Sequence, residues 1–259
     1  MTAPRLTLAL LTVGTLAAPS ALANPRPMPF TYGYSTQPKG GFEIEQYADL
    51  VPVRIAKEGD GGTEAVTSLR SVLQTELEYG ISDRLEFGWY FAFKQAASTS
   101  PSLAFDGVKQ RLRLRLAEAG DWPVDVALYL EMAEFHDELE FEQKIILSRR
   151  FGIATLAANL WVEQEWAFQE GEWEFIYNPT VATTFEVSPH VTLGLEYWAR
   201  GHFGEGDAHH YLGPTVLLQS GEYWLTLGAY ARLDDISEGA VVGDDYGKVW
   251  IRAIVGIGL

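Results

Sequence analysis

Apolar and polar residues alternate with period two through most of this chain, and no other property narrows its fold so far. The stretch VKQRLRLRLAEAG, residues 108–120, shows the rule. Successive side chains of a strand point to opposite faces, so Arg111, Arg113 and Arg115 share one face and Leu112, Leu114 and Leu116 the other. Such a strand has two possible settings. In a soluble sandwich the leucines form the core; in a membrane barrel they meet lipid and the arginines point into the lumen.

Twelve alternating segments, each bounded by Gly, Pro, Asp, Asn or Ser, are predicted near 42–56, 64–79, 84–97, 104–117, 122–135, 138–149, 153–168, 172–187, 190–203, 208–219, 222–233 and 245–259. Their connections differ in length. Tight turns fall at 81–83, 119–121, 151–152, 188–189 and 220–221, and longer loops at 57–63, 98–103, 204–209 and 234–244. An even number of antiparallel strands with short turns at one end and longer loops at the other is the outer-membrane barrel arrangement. Both termini then fall at the short-turn, periplasmic end. The fold expected is all-β: a single antiparallel transmembrane β-barrel of about twelve strands, over residues 24–259.

The two faces support the barrel. One runs Leu85, Phe87, Trp89, Phe91, Phe93, then Val124, Val126, Leu128, Leu130, Met132, then Val249, Ile251, Ala253, Val255, Ile257, with no charge among them. The other is densely charged with both signs. Aromatics on the apolar face sort by height. Phe141, Trp166, Phe168, Trp173, Phe175, Tyr177 and Tyr197 fall near the long-loop end, and Phe42, Tyr79, Phe87, Phe185 and Tyr223 near the short-turn end. Two aromatic belts flanking an aliphatic band suit headgroup-level anchoring, which a water-soluble sandwich does not require. The leucines therefore face lipid, and the lumen-lining set comprises Lys109, Arg111, Arg113, Arg115, Asp125, Glu131, Glu140, Glu142, Glu163, Glu165, Glu196 and Arg200, together with Tyr90, Trp161, Trp198 and Trp250. Ala127 is expected on the same face, in a wet lumen.

Residues 1–23 read as a secretory signal peptide: a short basic start, the apolar run Leu6–Ala18, and the small-x-small site Ala21-Leu22-Ala23. Cleavage near Ala23 would leave Asn24 first and deliver the chain to the outer membrane of a Gram-negative bacterium. Pro19 and the short apolar run argue against a membrane anchor helix. There are no cysteines, which excludes a disulfide-stapled fold. A net charge of −16 argues against nucleic acid as a partner. The partners expected are the lipid bilayer, surface lipopolysaccharide, the barrel-assembly machinery during biogenesis, and a small solute.

With strands such as TELEYGISDRLEFGWYFAF, FDGVKQRLRLRL, ELEFEQKIIL, AANLWVEQEW and GLEYWARGHF…HHYLGPTV, nearly the whole mature chain resembles an uncharacterised family of bacterial outer-membrane β-barrel proteins. More distantly it resembles outer-membrane transporters of aromatic-degradation pathways. The resemblance implies a fold and a location, and carries no catalytic or ligand residues. The chain departs from the common pattern at its last residue, Leu259, where such barrels often carry an aromatic.

No catalytic set emerges. A barrel lipase needs a serine and a histidine on one strand face; Ser188 and His190 have the spacing but bracket Pro189 in a turn. The stretch GHFGEGDAHH gathers His202, His209, His210, Glu205 and Asp207 without a recognised metal-ligand spacing, and the acidic loop at 234–245 lacks the oxygen spacing of a calcium loop. Neither a metal nor a cofactor is expected. A simple register places Arg115 opposite Asp125 and Lys109 opposite Glu131, with Glu86 near Arg115. Three functions stay open: a narrow, ion-paired channel or transporter for small solutes; a sealed structural or surface-interaction barrel; and, remotely, a membrane enzyme.

Overall fold

The computed structural model describes residues 23–59, 62–204, 208–234, 242–244 and 246–259. Most of the expected signal peptide, Glu205, Asp207 and residues 235–241 and 245 of the acidic loop lie outside the described residues.

Thirteen strands form one antiparallel sheet: β1 (Phe42–Gly59), β2 (Gly62–Gly80), β3 (Leu85–Gln95), β4 (Ala104–Arg115), β5 (Asp125–Phe135), β6 (Glu138–Phe151), β7 (Ala154–Ala167), β8 (Glu172–Tyr177), β9 (Thr180–Ser188), β10 (Val191–His202), β11 (Ala208–Ser220), β12 (Tyr223–Arg232) and β13 (Val249–Gly258). Sequence neighbours pair throughout except β8 with β9, and β1 pairs with β13 from Glu43↔Gly258 to Leu50↔Ile251, which closes the sheet into a barrel without edges. Both β8 and β9 lie between β7 and β10, so the barrel has twelve strand positions, one of them filled by two short strands. The break is at Asn178-Pro179, where proline has no N–H to give to the ladder.

Two connections differ from the sequence expectation. Residues 57–59 and 62–63 continue the ladder in place of the expected loop: Lys57 pairs with Glu64 and Gly59 with Gly62, so the first hairpin is much longer than the others. The link from β4 to β5 spans residues 116–124, longer than a tight turn at 119–121, and this shifts the register by two residues. Arg115 stands opposite Ala127, Arg111 opposite Glu131 and Lys109 opposite Ala133, while Glu86 faces Arg113.

Alternation is kept on the wall. Leu112, Leu114, Leu128, Leu130, Leu193, Leu195, Val249 and Val255 are exposed on the outside. At the short-turn end Phe42, Tyr79 and Phe87 are adjacent in one register row. At the long-loop end the Trp166 and Trp173 rings lie tilted to each other with centroids 5.3 Å apart, and Tyr177 meets Phe203 edge-on at 5.1 Å. Both belts are thus in place.

Residues before β1 do not lie outside the wall. Arg26, Met28, Phe30, Thr31, Tyr32, Tyr34, Thr36 and Gln37 are all buried, because the N-terminal segment runs through the barrel interior. Pro25, Pro27 and Pro29 prevent it from joining the sheet as a strand.

Candidate functional site

Since the N-terminal segment makes no ladder, its backbone groups must find side-chain partners. Wall residues supply them. Glu196 accepts the Phe30 N–H at 3.1 Å and that of Thr31. Asn159 accepts the Tyr32 N–H at 2.7 Å and donates to the Tyr32 carbonyl at 3.0 Å. Glu86 accepts the Gln37 N–H at 2.6 Å, and Thr226 donates to the Arg26 carbonyl at 2.5 Å. Rings add to the anchoring. Phe30 stacks on Trp198 at 4.5 Å, stands edge-on to Tyr230 and Trp250, and lies under the Arg252 guanidinium at 3.8 Å. The segment is a plug.

Toward the short-turn end, Arg111 pairs with Glu76, Glu78 and Glu86, and Arg113 with Glu86 at 2.8 Å. These side chains are at most 1 % exposed, so this half of the interior is filled, not wet. Gly88 makes the cluster possible: a Cβ there would lie 2.6 Å from a Glu76 oxygen and 2.7 Å from Arg111 Nε. Arg115 sits at the rim on Glu118 and the Asp83 carbonyl, and Asp125 accepts the Gly120 N–H at 2.7 Å. Ala127 is fully buried against Tyr32, Tyr34, Tyr129 and Ile146, which corrects the expectation of a wet lumen at that point.

Toward the long-loop end, a cavity of about 430 Å³ is floored by Phe30 and Tyr32 of the plug. Lys109 binds Glu131 at 2.8 Å, Lys144 binds Glu142, Arg200 reaches Glu163 and, at 2.6 Å, Glu165, and Arg252 holds Asp49 with two nitrogens. The Lys144 ammonium also lies over the rings of Trp161 at 3.6 Å, Tyr129 at 4.1 Å and Tyr32 at 4.5 Å. Tyr90 and Trp250 line the same cavity, whereas Trp198 is buried beneath Phe30.

The remaining candidates stand apart. His202 lies 3.2 Å from Glu174, His209 3.2 Å from Asp234, and His210 2.7 Å from the Tyr197 hydroxyl, so the three rings have separate partners. Acidic or histidine groups close enough to share an ion, among the described residues, are Glu45–Glu76–Glu78 and Glu131–Glu140–Glu142. The His190 ring meets the Gln219 carbonyl at 3.1 Å, and Ser188 accepts the His190 backbone N–H.

Sequence reasoning missed the plug, although its signal is visible in PRPMPFTYGYSTQP: prolines that forbid a strand, followed by Phe30, Tyr32 and Tyr34 at alternate positions. A closed barrel of twelve positions, filled by its own N-terminal segment, admits comparison with known structures. The COG4313 outer membrane channel from Pseudomonas putida F1 superposes with a TM-score of 0.62 over 87% of this chain and 98% of that one, at 10% identity. The fold is that of an outer-membrane β-barrel. The translocator domain of the autotransporter NalP from Neisseria meningitidis gives 0.53 at 7% identity, over 84% of this chain and 88% of that one. The NanC porin gives 0.52 at 5% identity, over 83% and 98%. No family model matches the sequence, and no curated protein matches it.

Proposed function

We propose that this protein resides in a bacterial outer membrane, after removal of residues 1–23, and passes small solutes through a lumen narrowed by its own N-terminal plug. The observation that carries this reading is the cavity of about 430 Å³ above Phe30 and Tyr32: a cup of small-molecule size, lined by charge and aromatic rings, on the long-loop side. The fold likeness to channels and porins supports it. Lipopolysaccharide around the exposed belt and the assembly machinery at biogenesis are the partners this setting supplies.

A sealed barrel is the second reading. It is favoured by the short-turn half, where Arg111, Arg113, Glu76, Glu78 and Glu86 leave almost no exposed side-chain surface. Single-channel recording of the purified full chain in a planar bilayer separates the two. Discrete, small openings support passage; a silent barrel that still shifts its gel mobility on boiling supports the sealed form.

A further inference from the structure

The wall made by β5, β6 and β7 carries like charges face to face. Glu131 stands directly opposite Glu142, Glu142 opposite Glu163, and Glu140 opposite Glu165. Like charges in such positions repel and are unfavourable unless cations join them. Lys109, Lys144 and Arg200 answer for Glu131, Glu142, Glu163 and Glu165. Glu140 is left over. It is 8% exposed, lines the cavity, and has no hydrogen-bond or ion-pair partner among the described residues, while one of its oxygens lies within 4.8 Å of ligand atoms of Glu131 and Glu142.

We propose that this wall is a binding site for the ammonium group of a small organic cation, with Glu140 as its counter-charge and the cavity's aromatic rings around its apolar body. The proposal deepens the reading of the cup as a solute site and rests on it. Ligand supply decides against a metal ion. The triad Glu131–Glu140–Glu142 holds two lysine ammoniums already, and across the whole wall five carboxylates face Lys109, Lys144 and Arg200, so negative charge is in excess there. A calcium ion needs six to eight oxygen ligands, and of the six triad oxygens one each of Glu131 and Glu142 already accepts from lysine and the second of Glu131 accepts from the Tyr129 hydroxyl. An ammonium needs at most three acceptors. The neighbouring Lys144 shows the chemistry at work, its ammonium held between Glu142 and the faces of Trp161, Tyr129 and Tyr32. Tyr90, Tyr129, Phe135 and Trp161 supply the same kind of wall for an incoming cation.

The test is calorimetric titration of the detergent-folded full chain with phenethylammonium, its neutral isostere 2-phenylethanol, and calcium chloride. The ammonium should bind, the alcohol should bind at least about tenfold more weakly, and calcium should not displace the ammonium. Glu140→Gln breaks no ion pair and relieves like-charge repulsion, so it should weaken ammonium binding about tenfold or more at unchanged or higher thermal stability. Equal binding of alcohol and ammonium, equal binding by E140Q, or displacement by calcium would overturn the proposal. Should E140Q not fold, the wild-type comparison decides it. The two readings fail differently: binding by a barrel silent in the bilayer sinks passage but keeps the site, whereas conductance without binding sinks the site alone.

Discussion

Asn159 on β7 holds Tyr32 of the plug by both of its backbone groups, its Oδ1 accepting the N–H at 2.7 Å and its Nδ2 donating to the carbonyl at 3.0 Å. One wall side chain thereby replaces the two ladder bonds that a strand would have made. Asn159→Leu should keep the barrel closed and loosen the plug, at a cost of about 1–3 kcal/mol for each backbone group left unpaired. The expected readout is a lower thermal midpoint together with higher bilayer conductance. A midpoint change with no change in conductance would show that the plug does not limit passage.

Arg111 is the most heavily paired interior cation, with three carboxylates and a 3.0 Å bond to the Tyr90 hydroxyl. Arg111→Met leaves buried carboxylates unpaired and should cost about 3–5 kcal/mol. Arg115→Ser, at the rim beside the half-exposed Glu118, should cost about 1 kcal/mol or less. Denaturant titration of the folded barrel in detergent measures both, and equal losses would mean that the ladder is uniformly solvated.

Leu114 faces outward, opposite Leu85 and Leu128. Leu114→Arg should cost about 2–4 kcal/mol on folding into lipid vesicles, because the charge enters hydrocarbon. Ala127→Arg should be no milder, since the side chain must displace Tyr32 or Tyr129 from a full interior. A well-tolerated arginine at 127 would contradict the seating of the plug.

Beyond the strand ends, Asp234 bridges β11 and β12. Burial opposes its ionisation, but the His210 N–H, Arg232 and His209 outweigh it and hold the carboxyl at about 2. An unfolded aspartate titrates near ~3.9. This bridge is therefore fully present above about pH 4 and is lost as pH falls through the folded value. Amide exchange at His210 should stay slow from pH 7 to 4 and quicken, after correction for intrinsic rates, near pH 2; quickening already at pH 5 would contradict it.

The Asn24 nitrogen lies 2.8 Å from a carboxylate oxygen of Glu43, which is fully buried. Cleavage after Ala23 would turn that amide into an ammonium beside a cluster where Glu43, Glu45, Glu76, Glu78 and Glu86 outnumber Arg26, Arg111 and Arg113. Intact mass of the outer-membrane form should therefore begin at Asn24. A mature chain starting several residues later would remove this contact and contradict the expectation.

The wall of the fold was legible because period-two alternation survives wherever one face meets lipid and the other meets charge: Leu112 and Leu114 against Arg111 and Arg113 need no tertiary context. The register of β4 against β5 was not legible, since it depends on how residues 116–124 turn, and a two-residue shift leaves the alternation intact. The plug was hidden for another reason. Phe30, Tyr32 and Tyr34 are held by Glu196, Asn159 and the Ala117 carbonyl, partners more than eighty positions away that no local pattern reveals. The importance of Glu140 was likewise hidden, because its lack of a partner is a fact about three neighbouring strands.

The most direct test of a barrel narrowed by its own N-terminal segment is single-channel conductance of the wild type beside a variant lacking residues 24–37 and retaining the Pro38–Gly41 turn. The variant should fold, shift its gel mobility on boiling, and conduct severalfold more than the wild type. Equal conductance from two equally well-folded barrels would contradict the account.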